Sequence, residues 1–217
     1  MRLTAKQYKE LSIKEFTKAA DRYETSNAGI YDMCKNDYPE ILEEIRREDF
    51  DTLLDAGCGP APMLTLLTRE LPDKHYVGID LTPKMIEIAK SKQLKNTELY
   101  IGDCENLPFD ENSFDVIICS NSFHHYPNPS DFFSSVEKCL KPGGRLILRD
   151  FASSSKFVQW FVSKIEMPLV NKLGHGDVGM STRREVEGMC SEAGLVMEKF
   201  EYRKSFRLHC VARKKLQ

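Results

Sequence analysis

Hydrophobic and polar positions change period along the chain in a way that predicts alternating strands and helices. Between Thr52 and Asp150 five short aliphatic runs stand out: Thr52-Leu53-Leu54, His75-Tyr76-Val77-Gly78-Ile79, Glu98-Leu99-Tyr100-Ile101, Val116-Ile117-Ile118-Cys119 and Arg145-Leu146-Ile147-Leu148. Apolar residues at helical spacing fill the gaps between them, a combination that predicts βαβ units and a parallel sheet. The helical stretches carry their own boundaries. One runs from Met63 to Glu70; Thr82 before Pro83 and Asn128 before Pro129 are placed as N-caps with proline at the first helical position. Thr182-Arg183-Arg184-Glu185 has the form of a capping box, and Gly194 ends the helix it opens. Phe157, Phe161 and Ile165 also recur at helical spacing, the pattern of a helix turned toward the core. From Leu195 to Arg213 two strands turn near Lys204-Ser205, an antiparallel hairpin added to the five parallel strands. Upstream, Leu11, Phe16, Tyr23, Ile30 and Tyr31, then Ile41, Leu42 and Ile45 behind Pro39, predict helices packed over the working edge of the sheet.

The expected architecture is therefore α/β: a mainly parallel seven-stranded sheet, doubly wound, with an antiparallel C-terminal hairpin and N-terminal covering helices. A length of 217 residues suits one such domain. Within it, residues 1–50 form a helical cap or lid, 51–150 a ligand-binding core, and 151–217 the substrate-side helices and hairpin. Composition narrows the function. With 33 acidic against 31 basic side chains there is no broad cationic field for a nucleic acid. The N-terminus lacks the apolar core of a signal peptide and no membrane-spanning run follows, so the expectation is a cytoplasmic protein with no membrane partner. Seven cysteines without a C-x-x-C pair argue against a disulfide framework and a four-ligand zinc site, and no metal is expected.

The chemistry collects at one end of the sheet. The first three runs stop at or shortly before Asp55, Asp80 and Asp103, and the fourth leads into Ser120-Asn121-Ser122-Phe123-His124-His125. In open α/β sheets ligands bind outside these carboxyl ends. After the first strand, Gly57 and Gly59 allow a tight turn and close backbone approach to a ligand, while the next helix offers unpaired N–H groups. Asp80, roughly 20 residues on, stands where an acidic group meets ribose hydroxyls. Pro62 replaces the third glycine of the dinucleotide fingerprint, which disfavours NAD and FAD.

Leu54-Asp55-Ala56-Gly57-Cys58-Gly59 resembles the first motif of class I S-adenosylmethionine-dependent methyltransferases. Gly78 to Met85 resembles their second, Gly102 to Phe109 the third, and Phe114 to Ile118 with Leu140 to Leu146 the fourth and fifth. The pattern is similar to the small-molecule enzymes of the ubiquinone and menaquinone biosynthesis group. The resemblance implies a Rossmann-like fold and S-adenosyl-L-methionine as cofactor, leaving S-adenosyl-L-homocysteine as product. It implies that Gly57 and Gly59 approach the methionine moiety, that Asp80 accepts the ribose hydroxyls, that Leu81 and Met85 flank the adenine, and that Asp103 and Cys104, after Gly102, read its edge. Asp55 would orient the glycine turn or a water near the methionine ammonium, and Ser120, Tyr23 and Tyr31 complete the expected cofactor contacts. Ala61 stands where the family often has another glycine, so the turn must tolerate a Cβ there.

The resulting expectation is methyl transfer to a small-molecule acceptor by in-line displacement, which chiefly requires positioning. His124 and His125 are the candidate catalytic residues, lining the acceptor pocket and close enough to neutrality in titration to take a proton if the acceptor needs a base. Phe157, Trp160, Phe161 and His175 are further acceptor-side candidates. The alternative is a cofactor-binding module without methyl transfer that acts through a protein partner. Acceptor identity and oligomeric state are not encoded in any motif.

Overall fold

The computed structural model describes residues 3–24, 34–204 and 206–216. Tyr31 and Ile30 lie outside the described residues, as does Ser205 in the C-terminal turn. Seven strands form one sheet: β1 Thr52–Ala56, β2 His75–Asp80, β3 Thr97–Ile101, β4 Phe114–Ser120, β5 Leu140–Phe151, β6 Leu195–Arg203 and β7 Arg207–Lys214, in the order β3-β2-β1-β4-β5-β7-β6. The first five are parallel and β7 runs antiparallel to both β5 and β6. The order reverses between β1 and β4, which opens a crevice at their carboxyl ends.

Side chains alternate between the two faces of these central strands. Leu54, Ala56, Ile117 and Cys119 point into one buried cluster and Leu53, Val116, Ile118 and Ile147 into the other. Helices cover both faces, because both rows are apolar. On the second face lie α2 (Tyr38–Ile45), α3 (Pro62–Glu70) and α4 (Pro83–Ser91), contributing Ile41, Ile45, Leu64, Leu67 and Ile86. On the first lie α5 (Pro129–Cys139) and α8 (Arg183–Ala193), contributing Phe132, Val136 and Val186. Between α5 and α8, α6 (Lys156–Phe161) passes through a π-helical stretch, Val162–Glu166, into α7 (Met167–Lys172). No helix among the described residues is long and apolar enough to cross a membrane.

The boundary signals were met unevenly. Thr182 and Glu185 form the expected capping box, and Gly194 ends α8 in the left-handed region at φ 86°. Thr82 and Asn128 occupy the expected N-cap positions but neither side chain caps its helix. The cap residues are themselves held by carboxylates: Asp80, two positions away, accepts from the Thr82 N–H at 2.8 Å, and Glu105 accepts from both the backbone N–H and the side-chain amide of Asn128. Ala61 sits in the left-handed region at φ 60° and ψ 45°, fully buried, so this turn does accommodate a Cβ. The segment around Phe157 is helical as expected, but Phe157, Trp160, Phe161 and Ile165 are exposed rather than in the core.

The N-terminal helix α1 (Ala5–Ala19) lies across the carboxyl ends of the strands, and Ser12 is its single buried residue. Its attachments are largely polar. Lys9 pairs with Asp103 at 2.6 Å and with Glu105, the Ser12 hydroxyl meets the Gly176 carbonyl, and Glu15 meets His175 at 2.6 Å. His175 thus fastens a loop to α1. Deeper down, Arg149 and Arg207 both pair with the buried Asp37, tying the start of α2 to β5 and β7.

Candidate active site

The turn after β1 is shaped by its glycines and held by β2. Gly57 adopts φ 80°, and the N–H groups of Gly57 and Cys58 both donate to the Ile79 carbonyl, at 2.8 and 3.0 Å. A Cβ on Gly57 would fall 2.0 Å from the Ser122 hydroxyl oxygen, so glycine is required here by packing as well as by backbone angle. Gly59, at φ 53°, differs. A Cβ there would meet nothing within 4 Å, because the residue borders a cavity. The Asp80 carboxylate fixes the far side of the turn, accepting from the Gly59 N–H at 2.9 Å through one oxygen and from Thr82 through the other. Each oxygen keeps a further lone pair for a ligand.

Two adjoining lobes form the cavity. The first is bordered by Tyr23, Asp55, Gly57, Gly59, Asp80, Met85, Ser120 and His125 among others. The second is bordered by Lys9, Leu81, Thr82, Asp103, Cys104 and Tyr126, and shares Phe16, Gly57, Asp80, Ser122 and His125 with the first. The sequence candidates Tyr23, Asp55, Gly57, Gly59, Asp80, Leu81, Met85, Asp103, Cys104 and Ser120 therefore converge. Gly102 does not border either lobe; its missing side chain instead makes room for Ile79, which a Cβ would approach to 2.7 Å. Tyr31 cannot be placed, since it lies outside the described residues.

Negative charge collects at the deep end. Burial, and then the Asp80 charge, push Asp55 up to about 7, and burial raises Asp80 against the hydrogen bonds that favour its ionised form. Among the described residues no cationic side chain pairs with either group. Such a site favours a ligand with a cationic head and hydroxyl donors. An amino-acid ammonium and a ribose supply these.

The two histidines separate. His125 borders both lobes, with its ring edge-on to Phe16 of α1, centroids 5.0 Å apart. His124 lies behind it at 4.1 Å between ring centroids and faces a different cavity, about 180 Å³, lined by Phe151, Val162, Glu166, Met167, Val170, Asp177 and Met180. The His124 Nδ1 meets Asp150 at 2.7 Å, and the His124 N–H donates to the other Asp150 oxygen at 3.1 Å. Asp177 stands 3.5 Å from His124 Nε2 and 3.4 Å from His125 Nδ1. These three side chains converge within 4.8 Å and include metal-ligand types, but a protonated His124 between two carboxylates accounts for the same geometry. Burial opposes charging of His124, yet the charge and hydrogen bond of Asp150 outweigh it and raise its proton affinity. Burial, then the His124 charge, push His125 down to about 4.

Sequence reasoning missed Lys9, Phe16, Tyr126 and Asp177. Lys9 and Phe16 belong to a helix that reaches the site from far away in sequence, and Asp177 arrives on a loop with no motif. Tyr126 had a local signal, being the next residue after the histidine pair; its hydroxyl lies 2.9 Å from the Ser122 hydroxyl beneath Gly57.

Residues 54–148 match the family model described as a methyltransferase domain. This core is a methyltransferase domain, by a match that spans less than half of the chain. The chain is 40% identical over 111 residues to the phthiotriol/phenolphthiotriol dimycocerosates methyltransferase of Mycobacterium leprae, covering 51% of this chain and 41% of that enzyme. It is 29% identical over 175 residues to the demethylmenaquinone methyltransferase of Thermotoga maritima, covering 78% and 76%. The latter agrees with the resemblance to the quinone-methylating group. The chain spans about half or less of the length of the mycobacterial relatives it matches. In fold, the methyltransferase domain and its flanking elements superpose on a SAM-dependent methyltransferase from Aquifex aeolicus with a TM-score of 0.67 and 19% identity, over 93% of this chain and 98% of that one.

Proposed function

We propose that the protein transfers the methyl group of S-adenosyl-L-methionine to a small, largely apolar acceptor held beyond the histidine pair. The observation that carries this reading is the arrangement of two cavities on either side of His125 and His124, one polar with glycine and carboxylate walls, the other mainly apolar. In the polar cavity Asp80 receives the ribose hydroxyls, Asp55 faces the methionine ammonium, Gly57 and Gly59 pass under the methionine, and Asp103 and Cys104 border the adenine. Bound there, the cofactor supplies an electrophilic methyl group and a neutral leaving group, so the chain's own residues chiefly align and exclude water.

The histidines divide the remaining work. His125, held neutral and with low basicity, forms the wall between the cavities. His124, held toward its cationic form by Asp150, suits an acceptor that reacts as an anion, whose charge it would balance through Nε2. Two of the similar enzymes are named for dimycocerosates and for demethylmenaquinone, in keeping with an apolar acceptor.

The test is production of S-adenosyl-L-homocysteine by the purified protein with a panel of apolar phenols, quinols and long-chain alcohols, alongside water-soluble amines and carboxylates. Turnover confined to the apolar set supports the proposal. Turnover confined to the soluble set overturns the acceptor class, and cofactor binding without turnover favours a binding module acting through a partner.

A further inference from the structure

The helical stretch over residues 156–172 is apolar on two sides. Its inner side contributes Val162, Met167 and Val170 to the cavity beside His124. Its outer side carries Phe157, Trp160, Phe161, Ile165 and Leu169, continued by Leu173, with exposures from 42% for Phe161 to 72% for Leu173. Scattered single apolar residues on a surface need no explanation, but a continuous row does. A repeat of four residues drifts about 40° per step around an α-helix of 3.6 residues per turn. The π-helical turn at Val162–Glu166, wider than an α-turn, takes up part of that drift and keeps Phe157, Phe161 and Ile165 nearer one line with Leu169.

Charge supports a particular occupant. The chain as a whole has a formal charge of −2, whereas this stretch holds Lys156, Lys164 and Lys172 against Glu166 alone. All three lysines are exposed. Aromatic and aliphatic residues on one face of a surface helix, with lysines beside them, make the composition of a helix that lies in a membrane interface next to anionic headgroups. The cavity beneath adds a reason for the location. An acceptor dissolved in lipid would need to pass only this helix to reach the apolar cavity at His124.

We infer that the outer face of residues 156–172 docks on an anionic lipid bilayer and that the acceptor is taken from it through the cavity beneath this helix. This rests on the methyltransferase reading above and specifies the source of its acceptor. The expectation of no membrane partner came from the lack of a long apolar run, but an interfacial helix needs none; its signal is amphipathic.

Trp160 is the only tryptophan in the chain, so its fluorescence reports on this face alone. The full protein is mixed with vesicles of equimolar phosphatidylcholine and phosphatidylglycerol, some with brominated acyl chains, and with vesicles of phosphatidylcholine only. The anionic vesicles are expected to sediment the protein, shift Trp160 emission to the blue and quench it through the bromines, with weakening in high salt. The double variant Phe157→Ser/Leu169→Ser, altered at exposed positions and retaining Trp160, should partition on the order of tenfold less per removed side chain. Unchanged emission and no sedimentation overturn the inference. Self-association of the wild type that the double variant abolishes, without vesicle binding, also overturns it and assigns the face to a second copy. Neither readout depends on turnover: vesicle binding without methyl transfer defeats the functional reading, whereas methyl transfer to an apolar acceptor without vesicle binding defeats this inference alone.

Discussion

Substituting alanine at Gly57 and at Gly59 separates two requirements that the same turn imposes. At Gly57 the new Cβ would lie 2.0 Å from the Ser122 hydroxyl oxygen and 2.5 Å from its Cβ, with φ at 80°. A left-handed conformation costs an L-residue about 1–2 kcal/mol, and displacing a packed neighbour about 1–3 kcal/mol more. The sum, about 2–5 kcal/mol, corresponds to a Tm loss of roughly 4–20 °C for a chain of this size. At Gly59 the Cβ meets nothing within 4 Å, which leaves the conformational cost of about 1–2 kcal/mol and a loss of roughly 2–8 °C. Binding should rank the other way in diagnostic value. The Gly59→Ala methyl would occupy the space that the cofactor is proposed to fill, so a folded protein should bind S-adenosyl-L-homocysteine about 5- to 150-fold more weakly, from about 1–3 kcal/mol of overlap. Scanning calorimetry and isothermal titration on both variants provide the two readings. A Gly59→Ala protein that binds with wild-type affinity would refute the proposed path of the cofactor across this turn, whatever its stability.

Other predictions follow from the electrostatics and the helical cover. Asp55 is pushed up to about 7 in the folded protein, so between the usual carboxylate range and that value the folded state holds a proton that the unfolded state has lost. Stability without ligand should therefore fall as pH rises through that window, by up to about 1.4 kcal/mol per pH unit, and Asp55→Asn should flatten the slope. Binding of an ammonium beside Asp55 favours its ionised form, so S-adenosyl-L-homocysteine should release protons near pH 6. Titration in buffers of different ionisation enthalpy detects this, and no release would remove Asp55 from the ammonium site. In Asp150→Asn the proton affinity of His124 should drop, since its charge partner at 2.7 Å is gone, and any alkaline limb that loss of the His124 proton gives the rate profile should move to lower pH. An unmoved limb would assign that limb elsewhere. Lys9→Met removes the contacts of α1 with Asp103 and Glu105 and should speed release of S-adenosyl-L-homocysteine about tenfold, equivalent to about 1.4 kcal/mol, in stopped-flow measurements. Unchanged release would mean that α1 covers the cavity without gating it.

Local pattern carried the sheet. The central strands β1, β4 and β5 carry aliphatic runs because both of their faces are buried, and Asp55 and Asp80 were legible because the runs of β1 and β2 stop there. Pairings remote in sequence were not legible. Lys9 meets Asp103 across 94 positions, and Asp177 reaches the histidines on an irregular loop, so no spacing encodes either. Thr82 and Asn128 stand at the cap positions without capping, because the residue type marks a boundary but not where its side chain turns. Period gives a helical face but not the direction it points. Phe157 and Phe161 therefore read as core and prove exposed. Adjacent His124 and His125 looked like one site, yet the 3₁₀ turn Phe123–His125 sends their rings to two cavities.

The most direct test of the account is isothermal titration of the purified protein with S-adenosyl-L-homocysteine, on wild type and on Asp80→Asn, whose side chain keeps the volume but loses the charge. The account predicts one site per chain on wild type with a dissociation constant on the order of micromolar, about −8 kcal/mol, and a marked loss of affinity in the folded variant. Absence of binding to the wild-type protein, or binding that is indifferent to the loss of the Asp80 carboxylate, would contradict it.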